Sequence, residues 1–167
     1  MPEHIRTVAN QIEADASRYT TRDDELEKSS DFEIPRDGVL LIDDNEDDAE
    51  LSLRCLNKLH LDVPILWASD SAQAIKKLEN VSSVRELPRV ILLDLKMPCV
   101  DGFEVLRRIR AKPKLRDMTV IVMVSSLRDP ELPRSISAGA STYVVKPLRP
   151  DGFYAACERA VLNWPGR

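Results

Sequence analysis

Residues 90–110 read VILLDLKMPCVDGFEVLRRIR, and a change of period within them decides the fold. Val90–Asp94 is an apolar run without polar alternation, the pattern of a parallel strand buried on both faces. After a loop with Pro98, Gly102–Arg110 groups Phe103, Leu106 and Ile109 at helical spacing, behind an Asp101 placed to cap the helix. The stretch is one βα unit whose strand ends on an acid.

The same unit recurs on both sides of it. Four more apolar runs, Val39–Asp43, Pro64–Ala68, Val120–Ser125 and Thr142–Val145, predict strands. Glu46–Leu59 predicts a helix with Ala49, Leu53 and Leu56 on one face, and its opening acids suit a helix N-terminus. Ser71–Asn80 groups Ala72, Ile75 and Leu78. Pro130–Ala138 is a weaker helical pattern, because Pro130 and Pro133 cannot both occupy the first helical position; Gly139 supplies its stop. A last helix starts at Pro150–Asp151 and carries Phe153, Cys157, Ala160 and Val161 towards Trp164. Five βα units in succession specify a doubly wound parallel sheet with helices on both faces.

In such sheets ligands bind outside the carboxyl ends of the strands. There the chain collects its polar residues: Asp43 and Asp44 after the first run, Asp94 at the end of the third, Ser125 at the end of the fourth and Lys146 after the fifth. Each alone has a plain reading: an Asp pair caps a helix, a Lys-Pro makes a turn, a Ser ends a strand. Together at one edge they suggest chemistry. Three clustered carboxylates repel one another unless a cation sits among them. With oxygen ligands and no His or Cys nearby, the expected ion is Mg²⁺ or Mn²⁺ rather than Zn²⁺. A cation with open coordination positions, an attacking carboxylate on Asp94, a point charge from Lys146 and a hydroxyl from Ser125 suit phosphoryl transfer.

Composition excludes other classes. Of 167 residues, 43% are hydrophobic and 31% charged, an ordinary globular balance. The net charge of −4 is carried by residues 1–36, so the rest lacks the basic field that nucleic-acid binding requires. No apolar stretch approaches the ~20 residues of a membrane span, and no signal peptide is evident. The three cysteines, Cys55, Cys99 and Cys157, lack metal spacing and read as reduced thiols, two of them core fillers. The expectation is a soluble cytoplasmic protein. Three segments are expected: an acidic extension over 1–36, a globular domain over 37–164 and a tail over 165–167. In the extension, Ile5, Val8, Ile12, Ala16 and Tyr19 recur at near-helical spacing, which fits either a loose tail or a packing arm. His4 and His60 read as surface residues.

The motifs VLLIDDNEDD, VILLDLKMPCVDGFEVLRRIR, VIVMVSS and GASTYVVKPL make residues 37–163 resemble the receiver domains of two-component response regulators. More narrowly, the LIDDNEDD opening resembles the stand-alone regulators that partner bacterial phytochrome kinases. The resemblance implies a flavodoxin/CheY-like fold with strand order 2-1-3-4-5 and five helices. It implies that Asp94 is the phosphoacceptor for a histidine kinase. Asp44 and Asp94 would ligate Mg²⁺ directly (Mn²⁺ substituting), with Asp43 acting largely through water and the Lys96 main-chain carbonyl completing the ligands. Lys146 would pair with the phosphoryl group or its carboxylate, Ser125 and Tyr143 would be the switch pair, and the Lys146–Pro147 bond would be cis.

A protein of this kind is a phosphorylatable switch rather than an enzyme acting on other molecules. With no output domain after Trp164, its output is expected to be a changed partner affinity or a homodimer. The dimer would form through the fourth helix, fifth strand and fifth helix, with Phe153 and Trp164 as contacts. Lys96 and Leu127 depart from the family's pattern at positions that, the resemblance implies, flank the path of the hydrolytic water, so they are expected to tune the lifetime of the phosphorylated state. Tyr143 has the plainer reading of a sheet-edge filler, and Arg107, Arg108 and Arg110 read as a solvated basic face. Two rival functions are a degenerate receiver acting as a scaffold and a Mg²⁺-dependent phosphohydrolase; the latter wants a second acid at position 96, where Lys stands.

Overall fold

The structure, a computed structural model, describes residues 33–98 and 100–160. The N-terminal helical pattern, His4, Cys99, Val161, Trp164 and the 165–167 tail lie outside the described residues. The elements alternate as expected: β1 (Val39–Ile42), α1 (Glu46–Lys58), β2 (Ile65–Ala68), α2 (Ser71–Asn80), β3 (Val90–Asp94), α3 (Gly102–Ala111), β4 (Thr119–Val124), α4 (Glu131–Ser137), β5 (Thr142–Val145) and α5 (Pro150–Arg159), with a 3₁₀ turn at Val84–Glu86. The strands form one parallel sheet in the order β2-β1-β3-β4-β5. Doubly wound order and five flanking helices therefore hold.

Alternation along the strands divides the core in two. Leu40, Ile42, Ile91, Leu93, Val120 and Val122 face α2 and α3, meeting Ile75, Leu78, Leu106 and Ile109. Val39, Leu41, Val90, Leu92, Ile121 and Met123 face α1 and α5, meeting Ala49, Leu53, Leu56, Phe153 and Cys157. The central strands are buried on both faces, which is why their sequences show no polar alternation.

Several expectations need correction. In α2 the buried face is Ala74, Ile75 and Leu78; Ala72 is exposed, because the sheet meets a stripe one residue pair further along the helix. Phe153 is fully buried against the sheet, so it is no surface contact for a second copy. The arginines of α3 are not a solvated face. Arg107 pairs with Glu104 in the open, but Arg108 forks onto Glu79 of α2, and Arg110 Nε donates to the Gly139 carbonyl at 2.7 Å. Both prolines fit α4, since Pro130 sits at the N-cap and Pro133 lies in the first turn, where a missing N–H leaves no helical acceptor unfilled. Gly139 ends that helix at φ 104°. Its N–H donates to Ile136 and that of Ala140 to Ser135, the paired bonds of a left-handed C-terminal cap.

Cys55 and Cys157 are buried free thiols, and burial pushes the Cys157 thiol up to about 11. His60 is exposed. Among the described residues no helix is long and apolar enough to cross a membrane.

Candidate functional site

Strand parity brings the polar residues together. Val39 and Leu41 face α1 and α5, so two residues on, Asp43 faces the same way; Val90 and Leu92 lead likewise to Asp94, and Val144 to Lys146. The ladder runs past the strand ends to fix this, with Asp43 N–H donating to Ala68 and Lys146 N–H to Val124. The peptide between Lys146 and Pro147 is cis.

Lys146 is the hub. Its Nζ lies 3.1 Å from Asp43 Oδ2, 3.3 Å from Asp94 Oδ1 and 3.0 Å from Asp48 Oδ2. Burial works against its charge, but the carboxylates of Asp43 and Asp94 and the hydrogen bonds to Asp48 and Asp43 outweigh it and raise its pKa. Asp43 is fully buried, and burial pushes its carboxyl up despite the pull of Lys146 and of the Asn45 N–H, which donates to Oδ1 at 2.9 Å. Asp94 also adds to that rise. Asp44 is exposed at the rim.

One oxygen each from Asp43, Asp44 and Asp94 can be chosen so that all lie within 4.8 Å of one another. One ammonium shared among several acids leaves carboxylate charge over, and an oxygen-only donor set suits a hard divalent cation. The residues therefore fit Mg²⁺ or Mn²⁺. Around them, Trp67 Nε1 donates to the Asp43 carbonyl at 2.7 Å and locks the turn after β1. Asn45 caps α1 by accepting from Asp48 N–H, which sets Asp48 towards the cluster.

The other named residues take these places. Ser125 is exposed just past β4, and Leu127 beyond it is largely exposed. Tyr143 has the opposite parity to Lys146 and packs half-buried against the α2–α4 side, with the Arg159 guanidinium 4.8 Å from its ring centre. Lys96 turns from the loop after β3 to the loop after β4, its Nζ 3.1 Å from the buried carboxylate of Asp129.

Asp48, Trp67 and Asp129 were not legible as part of this neighbourhood. Asp48 had a signal, standing one helical turn after Asp44 in a run of acids. Trp67 and Asp129 act through contacts between distant segments and had none.

Residues 39–158 match the response regulator receiver domain family. A probable methanogenesis regulatory protein, FilR2 of Methanothrix harundinacea, is 35% identical over 129 residues, covering 77% of this chain and 83% of its own. The structure of the bacteriophytochrome response regulator AtBRR is 35% identical with a TM-score of 0.68, covering 80% of this chain and 96% of that one. The Mn²⁺-bound response regulator Rcp1 is 27% identical with a TM-score of 0.60, covering 79% of this chain and all of that one.

Proposed function

The chain belongs to the response regulator receiver domain family, homologous to single-domain two-component regulators, and on that premise we propose that Asp94 accepts a phosphoryl group from a histidine kinase. The observation that carries the proposal is the contact of one buried-side ammonium, Lys146, with both Asp43 and Asp94 beside the rim acid Asp44.

In the transfer, an Asp94 carboxylate oxygen bonds to phosphorus as the P–N bond to the donor imidazole breaks, and the electron pair of that bond stays on the departing nitrogen. Asp44, Asp94 and the Lys96 carbonyl, with Asp43 largely through water, would hold Mg²⁺ or Mn²⁺, which would supply neutralisation of the arriving charge. Lys146 stands at hydrogen-bond distance from Asp94 and is placed to meet a phosphoryl oxygen. Asp48 and Asp43 hold it there between events. Ser125 then moves towards the phosphoryl group and Tyr143 turns inward, changing the surface of α4, β5 and α5.

That surface exposes Leu127, Ile136 and Val145, apolar groups that support a cytoplasmic partner or a second copy docking there. A bacteriophytochrome is the proposed kinase, supported by the likeness to AtBRR. A phosphotransfer profile with purified histidine kinases tests the function. Rapid transfer from one of them to the wild type, and none to Asp94→Asn, is expected. Equal transfer to Asp94→Asn, or no transfer from any kinase or from acetyl phosphate, would overturn it.

A further inference from the structure

Asp129 is a buried carboxylate with no part in the transfer just described, and it has two partners. Its Oδ1 accepts from the Glu131 N–H at 3.1 Å, at the start of α4. Its own main-chain N–H donates to the Ser126 carbonyl at 3.2 Å, closing the loop after β4. Its Oδ2 accepts from Lys96 Nζ at 3.1 Å, with Glu131 a further 3.9 Å contact. The Glu131 N–H and the Lys96 ammonium hold the carboxyl below its ordinary range.

Lys96 has a second claim on it. It stands two residues after Asp94 with its side chain half exposed, and the Asp94 charge is among those that raise its pKa. A phosphoryl group on Asp94 would bring close to two negative charges and three acceptor oxygens to that side. The two acceptors then compete for one ammonium. Asp129 holds a single charge, already partly met by the Glu131 main-chain N–H.

We propose that Lys96 is a movable charge held away from Asp94 by Asp129, and that phosphorylation of Asp94 draws it across and loosens the Ser125 loop and the start of α4. This rests on the phosphoacceptor function proposed above. Asp129 is thus a positioning residue: it sets the loop that carries Ser125, and it makes occupancy of Asp94 break one of the bonds keeping that loop in place. The route to α4 runs beside the Ser125 and Tyr143 movement and does not depend on the aromatic ring.

The test is binding of beryllofluoride with Mg²⁺, a phosphoryl mimic, to wild type, Asp129→Asn, Lys96→Met and the double variant. Asp129→Asn keeps a side-chain oxygen for the Glu131 N–H but releases Lys96, so the mimic binds more tightly, roughly fivefold, the upper end for a part-exposed ion pair. In the Lys96→Met background the same change has no effect. Amide exchange at Asp129 and Glu131, whose N–H groups close the loop and the start of α4, rises on mimic binding in the wild type and does not rise in Lys96→Met, a substitution at a half-exposed side chain. Unchanged or weaker binding in Asp129→Asn, tightening that persists without Lys96, or the same rise in exchange in Lys96→Met would each overturn the proposal. Failure of the wild type to bind the mimic, or binding that survives Asp94→Asn, would instead overturn the phosphoacceptor function on which it rests.

Discussion

Replacing Gly102 by Ala tests the link between fold and site at one atom. Gly102 opens α3 beneath the end of β3, and its N–H donates to the Leu95 carbonyl at 3.2 Å. A Cβ placed there would lie 2.4 Å from the Asp94 carbonyl oxygen and 2.6 Å from Leu95 Cα, where ordinary contact begins near 3.4 Å. The helix and the strand end must therefore separate by about 1 Å, and both obstacles are backbone, with no side chain to swing aside. Overpacking of this kind costs ~1–3 kcal/mol, and rigid partners put it near the top, at about 3 kcal/mol. With a urea slope of about 2 kcal/mol/M, the unfolding midpoint falls by about 1.5 M. Gly152 is the internal control. It lies in the first turn of α5, where an added Cβ meets nothing within 4 Å. Gly152→Ala should stabilise by about 0.5–1 kcal/mol through the glycine's greater loss of freedom on folding. Urea titrations followed by circular dichroism read both. If Gly102→Ala unfolds within 0.3 M of the wild type, or both variants shift the same way, the close approach at Asp94 is not as described.

Asp37 and Arg89 form a forked ion pair across the base of β1, at 2.9 and 2.7 Å. The Arg89 hydrogen bond holds the Asp37 carboxyl below its ordinary value of 3.8, so its contribution is complete above that pH and lost as pH falls through the lower folded value. Asp37→Asn tolerates the same positive φ of 54° and should lose at most about 0.5 kcal/mol at pH 7, the pair being exposed, with the difference closing in acid unfolding. Trp67 should report cation binding: Mg²⁺ changes tryptophan emission in the wild type through the Asp43 turn, and the change disappears in Trp67→Phe. Arg110→Met should destabilise by about 2 kcal/mol in thermal or urea unfolding, because Arg110 donates to the main-chain carbonyls of Gly139 and Arg116.

The sheet and most of the site were legible because two periodicities act locally. Unbroken apolar runs mark strands buried on both faces, and a strand's last polar residue must stand at the carboxyl edge. Asp43, Asp94 and Lys146 follow from that alone, since parity gives all three the same face. What was missed depends on tertiary contact. Ala72 and Ala74 are both apolar on α2, and only the angle at which the helix meets the sheet selects Ala74. Phe153 reads equally as a surface anchor or a core residue until the sheet covers it. Arg108 and Arg110 read as solvated until α2 and the turn at Gly139 arrive. Asp129 had no motif, because its charged partner Lys96 lies in a different loop, after β3.

The central claim is that Asp94 carries the phosphoryl group. Incubation with acetyl phosphate and Mg²⁺, followed by intact-mass and peptide mass spectrometry, tests it most directly. The account predicts one phosphoryl group per chain, located on the peptide containing Asp94, absent in Asp94→Asn and absent when the cation is chelated. Labelling that persists in Asp94→Asn, or a wild type that takes up no phosphoryl group at all, would contradict it.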